Sequence, residues 1–189
     1  MIRIAVVGDI GAGKSHIAKL FKLPIFNADL EVAKIYKTNK QCFNRLKKIL
    51  PKYFSSFPAK KNEIIKAIIN NKSNLKKITK IIHPEIRKKK NNFLKKYRKE
   101  KAIILDIPLL LENNLNEKGD IIIFIKSEKK EVIRRLKKRE NFNLELYKNF
   151  KKIQLPLVYK KKKSHHTIKN NFNNKSVRVD VKKILKEIL

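Results

Sequence analysis

The chain has 189 residues, with 49 Lys plus Arg against 16 Asp plus Glu and a formal net charge of +33. That length is enough for one domain with a full hydrophobic core. No run of about 18 uncharged apolar residues is available to span a bilayer, and a single cysteine, Cys42, excludes an internal disulfide framework. The first apolar run, Ile2–Val7, reads as a strand and leads straight into a glycine-rich segment rather than into a signal-peptide cleavage site, so a cytoplasmic location is expected. A helix-like stretch, His16–Phe21, follows. Pro24–Asn27 is a short strand candidate, and Leu30–Tyr36 is helix-like. From about 31 to 100 the pattern is mostly helical, with breaks expected near Pro51, Pro58 and Pro84. Lys101–Ile107 and Asp120–Ile125 read as strands, Gly119 turning the chain into the second. Thr167-Ile168 is a last short strand, and Val177–Leu189 has the spacing of a closing amphipathic helix. Near-continuous rather than alternating hydrophobicity marks strands covered on both faces. The expected fold class is α/β: three layers around a five-stranded parallel sheet.

The segment after the first strand, Gly8-Asp9-Ile10-Gly11-Ala12-Gly13-Lys14-Ser15, matches the pattern G-x-x-x-x-G-K-[ST] completely. Glycines let the backbone turn tightly and approach a polyphosphate, and the loop N–H groups with the following helix N-terminus face the anion. Gly8, Gly11, Ala12, Gly13, Lys14, Ser15 and His16 are therefore the candidate nucleotide-binding residues. Lys14 can bridge β- and γ-phosphates, and the Ser15 hydroxyl can ligate Mg²⁺. Placement between a strand and a helix makes this a specific signal for nucleotide binding.

The positive charge raises the question of nucleic acid. Of the basic residues 41 are Lys and only 8 Arg, whereas base reading and bidentate phosphate contacts favour Arg. Lys, Asn and Ile fill 87 of 189 positions, residue types written largely with A and T codons. Runs such as Lys88-Lys89-Lys90 and Lys160-Lys161-Lys162-Lys163 are read as solvated faces, and no nucleic-acid or membrane partner is expected. Electrostatic steering of an anionic substrate remains available.

Four further motifs follow the loop in order: Phe26-Asn27-Ala28-Asp29, Ile82-His83-Pro84-Glu85-Ile86, Pro108-Leu109-Leu110-Leu111-Glu112 and Arg135-Leu136-Lys137-Lys138-Arg139. This series, covering Ile2 to about Asn171, resembles dephospho-CoA kinase. The resemblance implies a P-loop fold with core segments at about 1–30, 101–130 and 165–189, a helical CoA-binding insertion at about 31–100 and a helical lid at about 131–160, all within one kinase domain. It implies ATP-dependent phosphorylation of the ribose 3′-hydroxyl of dephospho-CoA, with magnesium accompanying ATP. Asp29 would then orient the acceptor hydroxyl and take its proton, or hold magnesium through water, although read by itself it also suits an N-cap of Leu30–Tyr36. Arg135 and Arg139, four residues apart on one helix face, would close over the ATP phosphates. His83, Pro108, Leu109 and Glu112 would contact the acceptor, His83-Pro84 serving equally as a helix-breaking turn and Glu112 equally ordering its loop. Asp106 resembles the magnesium-holding aspartate of P-loop enzymes. Gln154 and Asn170-Asn171 match late family positions, Asn171 being expected near the adenine.

The chain departs from the family pattern in several places. Asn27 stands where the first motif Asp is usual, leaving Asp29 as the acid. Asp9 places a carboxylate where Gly is usual and is expected to turn outward, since facing a triphosphate would repel it. His16 replaces a common Thr, Phe172 or Asn173 a small residue, and Lys60 or Lys61 stands in for an insertion arginine. A nucleoside monophosphate kinase, a nucleotide-regulated nucleic-acid binder and a degenerate kinase are the competing readings.

Overall fold

The three long apolar runs become the three inner strands of a sheet. The computed structural model describes residues 1–138 and 142–189. Strands β1 (Ile2–Gly8), β2 (Ile25–Asn27), β3 (Ala102–Asp106), β4 (Asp120–Ser127) and β5 (His166–Asn170) form one parallel sheet in the order β2-β3-β1-β4-β5. Inner strands must be apolar on both faces, and β3 is buried along its whole length. The short β2 and β5, weak as sequence signals, are the edges. Register is set by Ile4 opposite Ile104 on one side and Ile121 on the other.

One face of the sheet carries Ile4, Val6, Ile104, Ile123, Ile125 and Ile168 against Ile17, Ala18 and Phe21 of α1 (Lys14–Leu20) with its C-cap and Val177, Val181 and Ile184 of α9 (Asn174–Ile188). The spacing of the last three is that of a helix stripe. Between β4 and β5 run α6 (Lys129–Lys137), α7 (Leu144–Lys152) and α8 (Leu157–Lys162). Neighbouring strands diverge in connection on either side of β1, so the C-terminal end of β1 is the topological switch point where α/β sheets bind ligands.

The chain forms two compact units, Met1–Asn27 with Tyr97–Leu189, and Ala28–Lys96. The second is all-helical: α2 (Ala28–Thr38), α3 (Lys40–Ile49), α4 (Lys61–Asn70) and α5 (Ser73–Lys96). The 24-residue α5 is its spine, with α2, α3 and α4 each packed on it. Phe43, Leu46, Phe54, Ile78 and Ile82 form its interior. Breaks do fall around Pro51 and Pro58, between α3 and α4, but the break expected at Pro84 does not occur, because Pro84 lies inside α5. A proline there removes one helix hydrogen bond and costs about 3 kcal/mol in isolation. Packing of three helices along α5, with Ile78 and Ile82 buried in the two turns before the proline, outweighs that local preference.

Candidate functional site

The phosphate loop leaves β1 at Gly8 and enters α1 at Lys14. Gly8 has φ +152°, and a Cβ there would stand 2.7 Å from the Ile125 carbonyl oxygen of β4, so no side chain fits. Gly13, the α1 N-cap, has a left-handed φ of 87°, a conformation that favours glycine. The buried Ala12 holds the loop in place. Its carbonyl accepts Ser127 Oγ at 2.9 Å and Asn170 Nδ2 at 2.8 Å, the terminal residues of β4 and β5. Lys14 Nζ donates to the Asp9 carbonyl at 2.7 Å, while Ser15 lies exposed in the first turn of α1. The His16 ring nitrogen Nε2 pairs at 2.7 Å with Asn174 Oδ1 in the first turn of α9, so this imidazole is engaged by protein.

Beside the loop, β2 and β3 end in register at Asn27 and Asp106. Asn27 Nδ2 donates to Asp106 Oδ2 at 2.6 Å, and Asp106 is buried. Two carboxylates in that register would repel. The amide at 27 converts the contact into a charge-assisted hydrogen bond instead.

After β3 the chain turns at Pro108 and at Leu109, whose φ is +54°. Leu110 and Leu111 are buried. Glu112 points into protein: its Oε1 accepts Lys160 Nζ of α8 at 2.6 Å and Leu155 N at 3.1 Å. Both side chains of the ion pair are almost fully buried, at 3% and 8% exposure, and Lys160 Nζ also lies 3.4 Å from the Gly8 carbonyl. The reading of Lys160–Lys163 as a solvated run is therefore wrong at its first residue. Burial of an ammonium is tolerated here because a carboxylate and a carbonyl accept hydrogen bonds from it. Lys161, Lys162 and Lys163 are exposed.

On α6, Glu131 receives Arg134 at 2.7 Å and Arg135 Nε at 2.8 Å. Those hydrogen bonds, Arg134's first, hold its carboxyl below the usual range. The Arg135 guanidinium stacks 4.2 Å from the centroid of the Phe172 ring. Phe172 has φ +61° and donates its N–H to Asn170 Oδ1 at 2.9 Å. These residues, with Glu128 and Asn171, line a cavity of about 290 Å³. Asn171 Oδ1 accepts Asn173 N and Ser176 Oγ. Arg139 lies outside the described residues. Gln154 follows α7, its Oε1 buried with no hydrogen-bond partner among the described residues.

In the helical unit, α2 begins at Ala28, immediately after β2, which places Asp29 inside the first turn. The alternative of an N-cap on a helix starting at Leu30 does not hold. His83 lies mid-helix on α5, where partial desolvation and then the Arg87 charge push its pKa down. Lys60 caps α4, its N–H donating to Glu63 Oε2 at 2.8 Å, and Lys61 begins that helix.

Within the sheet unit the structure thus gathers Gly8, Ala12, Gly13 and Lys14, the Asn27–Asp106 pair, Glu112, Arg135 and Asn171 around the loop and the strand ends. Three contributors escaped the sequence reading: Lys160, Ser127 and the grip of Asn170 on Ala12. Lys160 sits in a run of four identical residues, where composition cannot single out one. Strand-end contacts need the register.

A family model described as dephospho-CoA kinase matches residues 2–176. The chain belongs to the dephospho-CoA kinase family. It is 29% identical over 187 residues to dephospho-CoA kinase of Wolbachia sp. subsp. Brugia malayi, covering 96% of this chain and 95% of that one. With the Bacillus anthracis dephospho-CoA kinase it shares 26% identity, over 97% of this chain and 96% of the other. Among solved structures, TT1252 from Thermus thermophilus superposes with a TM-score of 0.79 at 22% identity, over 100% and 98% of the two chains, which shows the fold. Dephospho-CoA kinase from Campylobacter jejuni gives a TM-score of 0.64 at 25% identity, over 98% and 96%. As a family member the chain is an ATP-using P-loop kinase, and no helix among the described residues is long and apolar enough to cross a membrane.

Proposed function

We propose that this member of the dephospho-CoA kinase family transfers the γ-phosphoryl group of ATP to the ribose 3′-hydroxyl of dephospho-CoA, giving CoA and ADP. The observation that carries the reading is the family match over residues 2–176 of a chain whose phosphate loop is fully built. In this reading the loop N–H groups of Gly11 and Gly13 and the α1 N-terminus receive the phosphates, while the Ala12 N–H closes the loop on the Asp9 carbonyl at 3.2 Å. Lys14 exchanges its carbonyl partner for the β- and γ-phosphate oxygens. Phosphoryl transfer is catalysed mainly by positioning and charge stabilisation. The acceptor oxygen bonds to the γ-phosphorus as the β–γ bridging bond breaks, ADP leaves with the electron pair, and the hydroxyl proton passes to the Asp29 carboxylate. Arg135, and Arg139 by the family resemblance, neutralise the equatorial oxygens. His83, Pro108 and Leu109 are acceptor-side candidates. The buried pairing of Glu112 with Lys160 supports a structural role for that carboxylate.

The donor set suits magnesium. Ser15 offers a hydroxyl and Asp106 a carboxylate, both hard oxygen ligands at the sheet's ligand-binding edge. Among the described residues no cluster of three or more His, Cys, Asp or Glu could hold a metal. Magnesium is ordinarily held by one or two protein oxygens together with substrate phosphates and water, not by a protein cage. When bound it would neutralise charge on the β- and γ-phosphates.

A coupled ADP-release assay with ATP, Mg²⁺ and dephospho-CoA tests the proposal, with AMP as a competing acceptor and Lys14→Ala as the blank. The expected result is ADP release that depends on dephospho-CoA, a product with a 3′-phosphate, and loss of turnover in Lys14→Ala. Preference for AMP, or no turnover, would overturn it.

A further inference from the structure

The second residue of the phosphate loop is a carboxylate, and a bare carboxylate there opposes the loop's purpose. Asp9 is tied on both sides. Its Oδ1 accepts its neighbour Ile10 N at 2.7 Å and Lys151 Nζ at 2.6 Å, and its main-chain carbonyl accepts Lys14 Nζ at 2.7 Å. Two ammonium groups, one from the loop and one from the last turn of α7, thus converge on a single loop residue. The Asp9 side chain is 17% exposed and that of Lys151 38%, so the pair sits at the protein surface beside the loop, within reach of solvent.

We propose that Lys151 is a positioning residue of the phosphate site, neutralising Asp9 so that a loop bearing a carboxylate can accept a polyphosphate. The inference rests on the reading that the loop binds ATP. Like charges about 10 Å apart at an effective dielectric near 20 oppose each other by roughly a tenfold factor in affinity, and charges farther along a polyphosphate add little because distance and salt screen them. An exposed ion pair contributes little to folding. The consequence of this one therefore falls on anion affinity, because loss of Lys151 leaves the loop with net negative charge added where phosphate must come. Asp9 in turn fixes the direction of the Lys151 side chain.

Isothermal titration of Mg·ATP, and separately of inorganic tripolyphosphate, into wild type, Lys151→Ala, Asp9→Asn and the double variant tests the pairing. Lys151→Ala is expected to weaken both ligands about tenfold, and Asp9→Asn in that background to restore binding to within about twofold of wild type. Thermal midpoints should be alike across the four proteins, separating the effect from misfolding. Unaltered affinity in Lys151→Ala overturns the proposal, and so does a double variant as weak as Lys151→Ala. Wild type that binds neither ligand overturns the ATP reading itself, a result visible before any variant is compared.

Discussion

A single amide at position 27 redistributes the acid chemistry of the strand ends. Asn27 donates to Asp106 and cannot take a proton, which leaves Asp29 as the one carboxylate of its motif. Asp29→Asn is therefore expected to lower turnover with dephospho-CoA by about 10²-fold, the lower end of general-base effects, because a loose transition state removes little proton charge early. The dissociation constant for Mg·ATP should stay within about twofold of wild type, since the loop contacts are untouched. Turnover equal to wild type in a stopped assay would remove Asp29 from the mechanism. Phe172 is one of the two residues read as standing where a small one is usual. It adopts a left-handed backbone that suits glycine, and it gives Arg135 a ring to stack on. The loop residues were legible because their chemistry is written in eight consecutive positions. Neither the Asn27–Asp106 bond nor the Arg135–Phe172 stack is written anywhere locally.

Elements meet at the loop through polar clasps as well as apolar packing. The Glu112–Lys160 pair joins the segment after β3 to α8, and Lys160 leans on the Gly8 carbonyl at the end of β1. Lys160→Met leaves a buried carboxylate without its counter-charge, and is expected to cost about 3–5 kcal/mol of stability. The double variant Glu112→Gln, Lys160→Met should cost substantially less, because the uncompensated charge is gone. Urea unfolding followed by circular dichroism measures both, and equal losses in the single and double variants would show that the pair is not coupled. The same scale explains Pro84. Breaker signals are local, whereas α5 is held by three other helices, so the chain stays helical through a residue that read as a stop. For Lys160 the miss has the same origin. Four lysines in a row differ only in which way the helix turns them.

For the whole molecule, the +33 charge is the dominant long-range property. Both proposed substrates are polyanions, and a positive field raises their encounter rate. Hence kcat/KM for ATP and for dephospho-CoA should fall as ionic strength rises from about 0.05 to 0.5 M, the range over which the Debye length shrinks from roughly 14 to 4 Å. The kcat should change less, since bound phosphates are held at short range. A kcat/KM insensitive to salt would assign the lysines no part in capture. Compositional bias and steering are compatible, because drift toward lysine supplies the field whatever its origin.

Length, a five-strand pattern and one unbroken motif were enough to determine from sequence an α/β fold with a nucleotide-binding phosphate loop, since inner strands must be apolar on both faces and a phosphate loop needs glycine, lysine and a hydroxyl in fixed order; the four motifs that follow the loop carried the resemblance to the family. All five strands fall where the apolar runs and short edge candidates put them, with ends shifted by a residue or two. Only the tertiary structure decided which of 41 lysines is buried, which carboxylate pairs with it, and which strand-end side chains hold Ala12. Those choices join residues far apart in the chain, and they depend on register and helix rotation, which neighbours in sequence do not encode.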